Sequence, residues 1–336
     1  MSIKWVKGFW QNTMLNDDTK KWLRQIFGPN VRFDEPLARH TSFKIGGPAD
    51  ALIDPESKEQ LKMIIQWARE KIIPFRIIGG GTNLLVRDGG IRGMVIRLGR
   101  IAAPITWEAK ATHLFVKVGA GAATRRLCRM ALQQGWQGMN FALGIPGTVG
   151  GAILMNAGTV YGSMADVLEA VTVMNSSGEE IQLQRDSFNV QYRKLDLPKT
   201  LMASSTGNNV LLTGLFRFQK GDRRMIHNEA RMIIQQRTRR QPGWQSSAGC
   251  FFKNPDSGKT AGQLIDEAGM KGVRIGDAMI SRRHANFIVN MGHASAAQVL
   301  ELAAMVQERV EKNTGVRLTH EVHIAGEEEN NSKKSI

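Results

Sequence analysis

The sequence predicts an α+β protein with more than one domain. Short apolar runs with strand character are mixed irregularly with amphipathic helical segments, without a regular strand–helix–strand repeat. The chain has 336 residues, more than one ordinary hydrophobic core contains. We expect an N-terminal extension at 1–20, two subdomains at 21–98 and 99–220, a C-terminal domain at 221–326 and a disordered tail at 327–336.

The helices are predicted from capping signals and apolar spacing. In SKEQLKMIIQWAREK, Ser57 and Gln60 form a capping-box pattern, and the apolar residues that follow share one helical face. Ser295 and Gln298 repeat this pattern in SAAQVLELAAMVQERV. A further helix, DRRMIHNEARMIIQQR, follows a predicted strand, so we place the last domain boundary near Gly221.

The predicted strands are FRII, MVIRL, LFVKV, LEAVTVM, IQLQ, VLLTGLFRF, NFIVN and LTHEVHI. The segment VTVMNSSGEEIQL predicts a hairpin, because NSSG supplies turn residues between two apolar runs. In a strand formed by LTHEVHI, alternation would place Glu321 and His323 on the same face.

The charge of the chain favours anionic partners. Its formal net charge is +15, which suits either nucleic acid or phosphorylated metabolites. The densest basic run, RTRRQPGW at 237–244, is interpreted as a solvated helix end. No zinc-finger, RNA-recognition or basic-zipper pattern accompanies the charge, so we expect no nucleic-acid partner.

The remaining composition points to the cytoplasm. Two cysteines cannot build a disulfide framework, and the N-terminus lacks the apolar core of an export signal. No apolar run is long enough to span a membrane. The seven histidines show no metal-ligand spacing, and HEVH is not the HExxH zinc pattern, so we expect no metal site.

Two glycine-rich stretches are candidate ligand-binding loops. IIGGGTNLLV joins a strand to another apolar run, and LGIPGTVGGAILMNAG spans 143–158. Either alone is also consistent with a tight turn or close helix packing. The first stretch is neither a Rossmann fingerprint nor a P-loop. Together in one basic chain they suit a long, partly apolar ligand with a diphosphate in its middle, such as a flavin dinucleotide.

The motifs resemble one family. HTSFKIGGPAD, IIGGGTNLLV, GIPGTVGGAILMNAG, AGCFFKNP and ISRRHANFIVN occur in the order found in the UDP-N-acetylenolpyruvoylglucosamine reductase family, and the resemblance covers about residues 30–326. The spacing is similar to that of the shorter, type II branch. The resemblance implies a vanillyl-alcohol-oxidase-type, FAD-binding fold of two subdomains, followed by a substrate-binding α+β domain.

The resemblance also implies the reaction. NADPH reduces a non-covalently bound FAD, and the flavin then delivers hydride to UDP-N-acetylglucosamine enolpyruvate, yielding UDP-N-acetylmuramate for peptidoglycan synthesis. These two molecules are the expected partners of a cytoplasmic protein that we expect to be a monomer.

Three catalytic residues are implied by matching family positions. Arg193 in VQYRKLD and Glu321 in LTHEVHIAG would stabilise the enolate, and Cys250 would be the proton donor where many relatives carry serine. Leu195 stands where the family usually has another serine. From the residues alone, a surface salt bridge is the favoured interpretation of Arg193 and a buried structural thiol that of Cys250, whereas Glu321 is equally consistent with an exposed carboxylate. Cys128 is interpreted as such a structural thiol.

The binding residues are also implied by the resemblance. The expected flavin contacts are Thr41, Gly79, Gly80, Gly81, Thr82, Asn83, Leu84, Gly144, Pro146, Gly147, Thr148, Gly150, Gly151 and Asn156. The expected substrate contacts are Tyr192, Lys253 and Asn254.

Two other functions remain open at this stage. One is a sugar or lactone oxidase of the same fold class, which would turn over with oxygen and without NADPH. The other is a basic nucleic-acid-binding protein, which would bind RNA or DNA in a salt-dependent way and carry no chromophore.

Overall fold

The computed structural model describes residues 15–101, 105–110, 112–198, 209–243 and 245–329. The α-helices are α1 (Asp17–Phe27), α2 (Lys58–Glu70), α3 (Thr124–Gln134), α4 (Val149–Leu154), α5 (Arg223–Arg240), α6 (Ala261–Glu267) and α7 (Ala296–Thr314). Short 3-10 helices lie at Gly28–Asn30, Leu37–His40, Asn140–Ala142, Met164–Asp166 and Arg185–Ser187.

The strands are β1 (Val31–Pro36), β2 (Pro48–Ile53), β3 (Phe75–Ile78), β4 (Leu84–Val86), β5 (Ile91–Arg97), β6 (Thr106–Lys110), β7 (His113–Gly119), β8 (Trp136–Gln137), β9 (Gly158–Thr159), β10 (Gly162–Ser163), β11 (Leu168–Met174), β12 (Glu180–Gln184), β13 (Asn189–Gln191), β14 (Lys194–Asp196), β15 (Val210–Lys220), β16 (Ser246–Cys250), β17 (Arg274–Ile275), β18 (Ala278–Ile280), β19 (Phe287–Asn290) and β20 (His323–Ala325). Every predicted strand overlaps one of these, and the mixture confirms the α+β class.

Three larger sheets organise the chain. The first has the order β1-β2-β5-β3, in which β5 lies parallel to both β2 and β3. The second is antiparallel, with the order β12-β11-β15-β7-β6 and with β8 also paired to β15. It contains the predicted β11–β12 hairpin. The third, β16-β19-β18-β17, is antiparallel and belongs to the C-terminal part of the chain.

The predicted caps form, one of them only in part. At α7, Ser295 accepts from the Gln298 N–H and the Gln298 side chain accepts in return, so the capping box is complete. At α2, Ser57 accepts from the Gln60 N–H, but the Gln60 side chain accepts from the N–H of Glu56 instead. The predicted return bond from the Ser57 N–H to the Gln60 side chain is therefore wrong, because the Glu56 N–H donates to that side chain.

The hydrophobic cores do not follow the predicted boundaries closely. One cluster joins the first two sheets and includes both Ile64 of α2 and Phe216 of β15. A second cluster fills the C-terminal domain. Ala230 and Ile233 of α5 belong to the first cluster, although α5 follows the boundary predicted near Gly221. Apolar spacing indicates that a helix has a buried face, but not which domain covers that face.

Both chain ends depart from the predicted extension and tail. Helix α1 begins at Asp17, inside the extension predicted at 1–20, because Asn16 caps it by accepting from the Thr19 N–H. Near the other end, the Glu327 N–H donates to the Gly90 carbonyl over 2.9 Å, so the start of the predicted tail is fastened to the first subdomain. The expectations for 1–14 and 330–336 lie outside the described residues.

The segment LTHEVHI is a strand only at its end. His320 forms an isolated bridge with Phe252, and β20 starts at His323. Strand β20 pairs in parallel with β4 of the first subdomain, not with the C-terminal sheet. The expected seven-residue strand was therefore wrong, because the segment crosses from one domain to the other. Within the described ranges, no helix is long and apolar enough to cross a membrane.

Candidate active site

Arg193 and Glu321 form an ion pair between two distant parts of the chain. Arg193 lies in the turn between β13 and β14, and its Nε donates to Oε1 of Glu321 over 2.7 Å. Both side chains are largely buried, with relative exposures of 21% and 14%. The guanidinium also donates through Nη1 to the Gly158 carbonyl over 3.2 Å. The ion pair is therefore largely buried, and the Gly158 carbonyl also fixes the guanidinium. It is not the exposed surface salt bridge that the sequence alone allows for Arg193.

Glu321 is placed by backbone contacts from two domains. Its N–H donates to the Phe251 carbonyl over 2.8 Å, next to the end of β16. Its own carbonyl accepts from Nδ2 of Asn83 over 3.2 Å. Burial raises the pKa of Glu321, while Arg193 and Lys253 act to lower it. The carboxyl therefore lies where the glycine-rich loop of the first subdomain meets the C-terminal domain.

Cys250 ends β16 beside this pair. A register irregularity between Ser247 and Cys250, with Gly249 at φ 82°, turns the strand end, a common way of redirecting a side chain. Burial raises the pKa of the Cys250 thiol to about 12, and nearby Glu321 adds to the rise. The guanidinium groups of Arg193 and Arg237 oppose it. All three predicted catalytic side chains are thus within electrostatic reach of one another.

The predicted substrate contacts surround the same cluster. The guanidinium carbon of Arg193 lies 5.0 Å from the ring centre of Tyr192. Burial raises the pKa of Tyr192, although Arg193 acts to lower it. Lys253 is close enough to lower the pKa of both Glu321 and His323. Asn254 uses its Oδ1 to accept from the Ala261 N–H at the start of α6, and its Nδ2 has no partner among the described residues.

The two glycine-rich stretches lie against each other. Oγ1 of Thr82 donates to the Pro146 carbonyl over 3.3 Å, which bridges the two loops. Gly147 has φ 113°, and a Cβ there would lie 2.7 Å from Oγ1 of Thr82. Gly81 has φ 61°, and a Cβ there would lie 2.2 Å from the His40 carbonyl oxygen. Larger residues would push the loops apart, so glycine is required by this close approach.

The first loop fits a phosphate group. None of the backbone N–H groups from Gly80 to Asn83 donates a hydrogen bond within the described part of the chain. Gly79 and Gly80 are exposed, although a Cβ on Gly80 would lie 3.0 Å from Cα of Gly147 in the second stretch. Free amides on an open, glycine-rich turn form a suitable cradle for a diphosphate. These residues therefore fit the diphosphate of a dinucleotide cofactor.

Some predicted flavin contacts use their side chains inside the protein. Thr41 is buried, and its Oγ1 donates to the Ile45 carbonyl over 3.0 Å. Thr148 caps α4 by accepting from the Gly151 N–H. Asn156 bonds through both ends of its amide to backbone groups of the protein. The remaining predicted contacts, Leu84, Gly144, Pro146 and Gly150, lie on the two glycine-rich segments themselves.

Arg237 is a site residue that the sequence interpretation missed. It belongs to the basic run that the sequence indicates to be a solvated helix end, yet its Nη2 donates to the Gly144 carbonyl over 3.1 Å. Its charge also acts on Cys250. A signal was present, since Arg237 continues the spacing of Ile226, Ala230 and Ile233, the buried face of α5.

The assembled groups suit one kind of chemistry. A cation and a carboxyl group meet beside a protonated thiol, next to loops that fit a diphosphate-containing cofactor. A guanidinium can stabilise negative charge that develops on a bound carboxylate, and a neutral thiol can donate a proton. Such a site can add a hydride and a proton across a polarised double bond.

Comparisons with known proteins agree with this geometry. Residues 241–325 match the model of the UDP-N-acetylenolpyruvoylglucosamine reductase C-terminal domain, and residues 49–184 match an FAD binding domain. The chain is 42% identical to the UDP-N-acetylenolpyruvoylglucosamine reductase of Desulfosudis oleivorans, over 92% of this chain and 98% of that protein. It is 41% identical to the protein of the same name from Syntrophus aciditrophicus, over 92% of this chain and 96% of the other.

A solved structure is similar as well. The crystal structure of UDP-N-acetylenolpyruvylglucosamine reductase from Thermus caldophilus matches with a TM-score of 0.71 and 38% identity. The match covers 88% of this chain and 97% of that one.

Proposed function

The chain belongs to the UDP-N-acetylenolpyruvoylglucosamine reductase family, and we propose that Arg193, Glu321 and Cys250 carry out its reaction. The protein is an FAD-dependent oxidoreductase that reduces UDP-N-acetylglucosamine enolpyruvate to UDP-N-acetylmuramate, a precursor of peptidoglycan. The observation that carries the proposal is the meeting of the Arg193–Glu321 pair with the Cys250 thiol.

The overall reaction consumes one hydride and one proton. Bound FAD would supply the redox chemistry, by which a hydride from NADPH, released as NADP+, would reach the vinyl methylene of the substrate. The carbon–carbon double bond is lost, and its electron pair moves toward the substrate carboxylate. A proton must then reach the adjacent carbon to complete the product. NADPH as the hydride donor is part of the proposal.

Arg193 stabilises the enolate. Its Nε is engaged by Glu321 and its Nη1 by the Gly158 carbonyl, so the guanidinium is oriented before substrate binds. A fixed guanidinium can bind a carboxylate and favours the negative charge that grows during hydride addition. Glu321 contributes by holding Arg193, and its buried carboxyl also lies near the reacting thiol.

Cys250 donates the proton. Its raised pKa, about 12, keeps the thiol protonated throughout the neutral range, so the donor is present in nearly every molecule. Arg193 and Arg237 both lower that pKa, and they favour the thiolate that remains after proton transfer. The two arginines therefore stabilise the thiolate product of proton transfer, while the thiol stays protonated before the reaction.

The remaining predicted site residues would bind the cofactor and the substrate. Free amides at Gly80–Asn83, with the facing segment Gly144–Gly151, would hold the cofactor diphosphate. Lys253, Tyr192 and the Nδ2 of Asn254 would hold the sugar nucleotide. We further propose that the protein acts as a monomer in the cytoplasm.

The visible spectrum of the purified protein tests the proposal. Under anaerobic conditions, NADPH should bleach the flavin absorbance, and the enolpyruvyl UDP-sugar should restore it with formation of one UDP-N-acetylmuramate per flavin. Recovery with oxygen alone, together with no response to NADPH, would indicate an oxidase instead. A colourless protein that binds RNA or DNA in a salt-dependent way would end the assignment.

A further inference from the structure

Asn156 joins the two segments that flank the candidate site. Its Nδ2 donates to the Gln191 carbonyl over 3.0 Å, and its Oδ1 accepts from the Ala165 N–H over 3.0 Å. Gln191 is the last residue of β13, two positions before Arg193. One amide thus links the segment after α4 to the strand end that leads into the arginine.

Arg193 also joins the same two segments, in the opposite direction. Its Nη1 donates to the carbonyl of Gly158, two residues after Asn156. The side chain of each residue therefore bonds to the backbone beside the other. Such a reciprocal arrangement restricts both segments, because moving either one breaks hydrogen bonds at two points.

Both residues also have left-handed backbone conformations. Asn156 has φ 38° and Arg193 has φ 58°. Residues with a side chain rarely adopt this region, and they keep it when the surrounding structure holds them there. Asparagine tolerates the conformation better than most residues, whereas arginine does not. The hydrogen bonds between the segments thus hold Arg193 in a conformation that it would not otherwise prefer.

We propose that Asn156 is a positioning residue that keeps the Arg193 guanidinium against Glu321. This inference rests on the proposed function, in which Arg193 stabilises the enolate. Segment α4, which ends just before Asn156, begins in the second glycine-rich stretch. The Asn156 amide therefore also ties the place of the arginine to the loops that fit the cofactor diphosphate.

The two half-reactions should respond differently to a loss of this contact. Arg193 acts on charge that appears in the substrate when the hydride arrives. It has no such charge to stabilise while NADPH reduces the flavin. A loosened Arg193 should slow product formation and leave reduction by NADPH nearly unchanged. A side chain that merely held the fold or the cofactor would affect both steps.

Two substitutions separate these possibilities. Asn156→Gly removes both hydrogen bonds and accepts φ 38° without strain. Asn156→Asp keeps an acceptor for the Ala165 N–H but turns a carboxylate toward the Gln191 carbonyl, which removes the donor. Asn175→Gly is the control for the glycine variant, because it also removes side-chain hydrogen bonds to nearby backbone, but in the β11–β12 turn outside the site.

The measurement is anaerobic stopped-flow absorbance of the flavin-loaded protein, with Arg193→Lys run in parallel. For both Asn156 variants, reoxidation by the enolpyruvyl UDP-sugar should slow by about 10- to 100-fold, less than the full loss expected for a missing transition-state donor. Bleaching by NADPH should stay within about twofold and flavin content should remain stoichiometric, because both ends of the Asn156 amide bond to the protein backbone and not to a cofactor. The control should behave as wild type.

The outcomes separate two kinds of failure. If Arg193→Lys slows reoxidation while both Asn156 variants are normal, the role of Asn156 is wrong and the proposed function stands. If the Asn156 variants lose flavin, or slow both half-reactions equally, Asn156 acts on the cofactor or the fold and the inference is overturned. Normal reoxidation by Arg193→Lys would remove the enolate role of Arg193, and the inference with it.

Discussion

The side chain of Asn83 donates a hydrogen bond to the backbone carbonyl of Glu321 over 3.2 Å. The His323 N–H donates back to the Asn83 carbonyl over 3.1 Å, where β20 starts to pair with β4. The last residue of the glycine-rich loop thereby sets the position of the buried carboxyl. These two hydrogen bonds join the cofactor loop to the segment that carries the Glu321 carboxyl, although Asn83 and Glu321 are 238 positions apart in the chain.

Asn83→Ala should slow product formation more than flavin reduction. Losing one hydrogen bond of this kind costs about 1 kcal/mol, which corresponds to about fivefold in rate when the lost contact positions a reacting group. Because Asn83 is also a predicted flavin contact, the affinity for FAD should fall as well. Stopped-flow measurement of the two half-reactions at saturating FAD separates these effects. A change in FAD affinity alone would show that the contact with Glu321 does not matter for the reaction.

Cys250→Ala should still be bleached by NADPH, but product formation should fall by about 10²- to 10⁴-fold, the usual effect of removing a general acid. Cys250→Ser should retain useful activity, because a hydroxyl also carries a transferable proton. Product can be measured by chromatography after one turnover. Wild-type turnover by the alanine variant would exclude the thiol as the donor.

Cys250 should be unusually resistant to alkylation in the folded protein. Burial raises its pKa to about 12, and the thiolate is the reactive form. A shift of this size lowers the thiolate fraction near pH 8 by about 1000-fold relative to an ordinary thiol. Labelling with iodoacetamide between pH 7 and 9, followed by peptide mass spectrometry, measures the rate at each cysteine.

The matched control for this measurement is the Cys128→Ser variant. Burial also raises the pKa of Cys128 to about 12, so both thiols should be protected until the chain unfolds. Protein unfolded in urea should label rapidly at both positions. Fast labelling of Cys250 in the native variant, comparable with that in urea, would contradict the raised pKa.

Asp88→Ala should destabilise the attachment of α7. The carboxylate of Asp88, in the first subdomain, accepts from the N–H groups of Ala296 and Ala297 over 2.8 and 2.9 Å. A carboxylate that satisfies free N–H groups at a helix start contributes about 1–2 kcal/mol.

Urea unfolding followed by circular dichroism measures this effect, with Asp18→Ala as the control. Asp18 is exposed in the first turn of α1, so its loss should change stability by less than about 0.5 kcal/mol. Equal stability of the two variants would show that the Asp88 contact contributes little.

The α+β class, the helices with capping signals and the β11–β12 hairpin were predictable from sequence. These features depend on neighbouring residues, whose spacing and turn chemistry are written along the chain. The glycine-rich loops were likewise recognisable, because close backbone approach demands a residue without a side chain. The ordered motifs were sufficient to indicate the family, and the comparisons confirmed it.

Tertiary structure decided how distant segments meet. No local pattern indicates that the segment after Glu321 pairs with β4, that α5 packs against the first two subdomains, or that Asn156 bonds beside Arg193. Likewise, the basic run around Arg237 does not reveal that this side chain bonds to the Gly144 carbonyl. The sequence by itself determined which chemical groups are present and which local structures carry them. Their distances depend on long-range packing, which satisfies buried polar groups with partners that sequence spacing does not reveal.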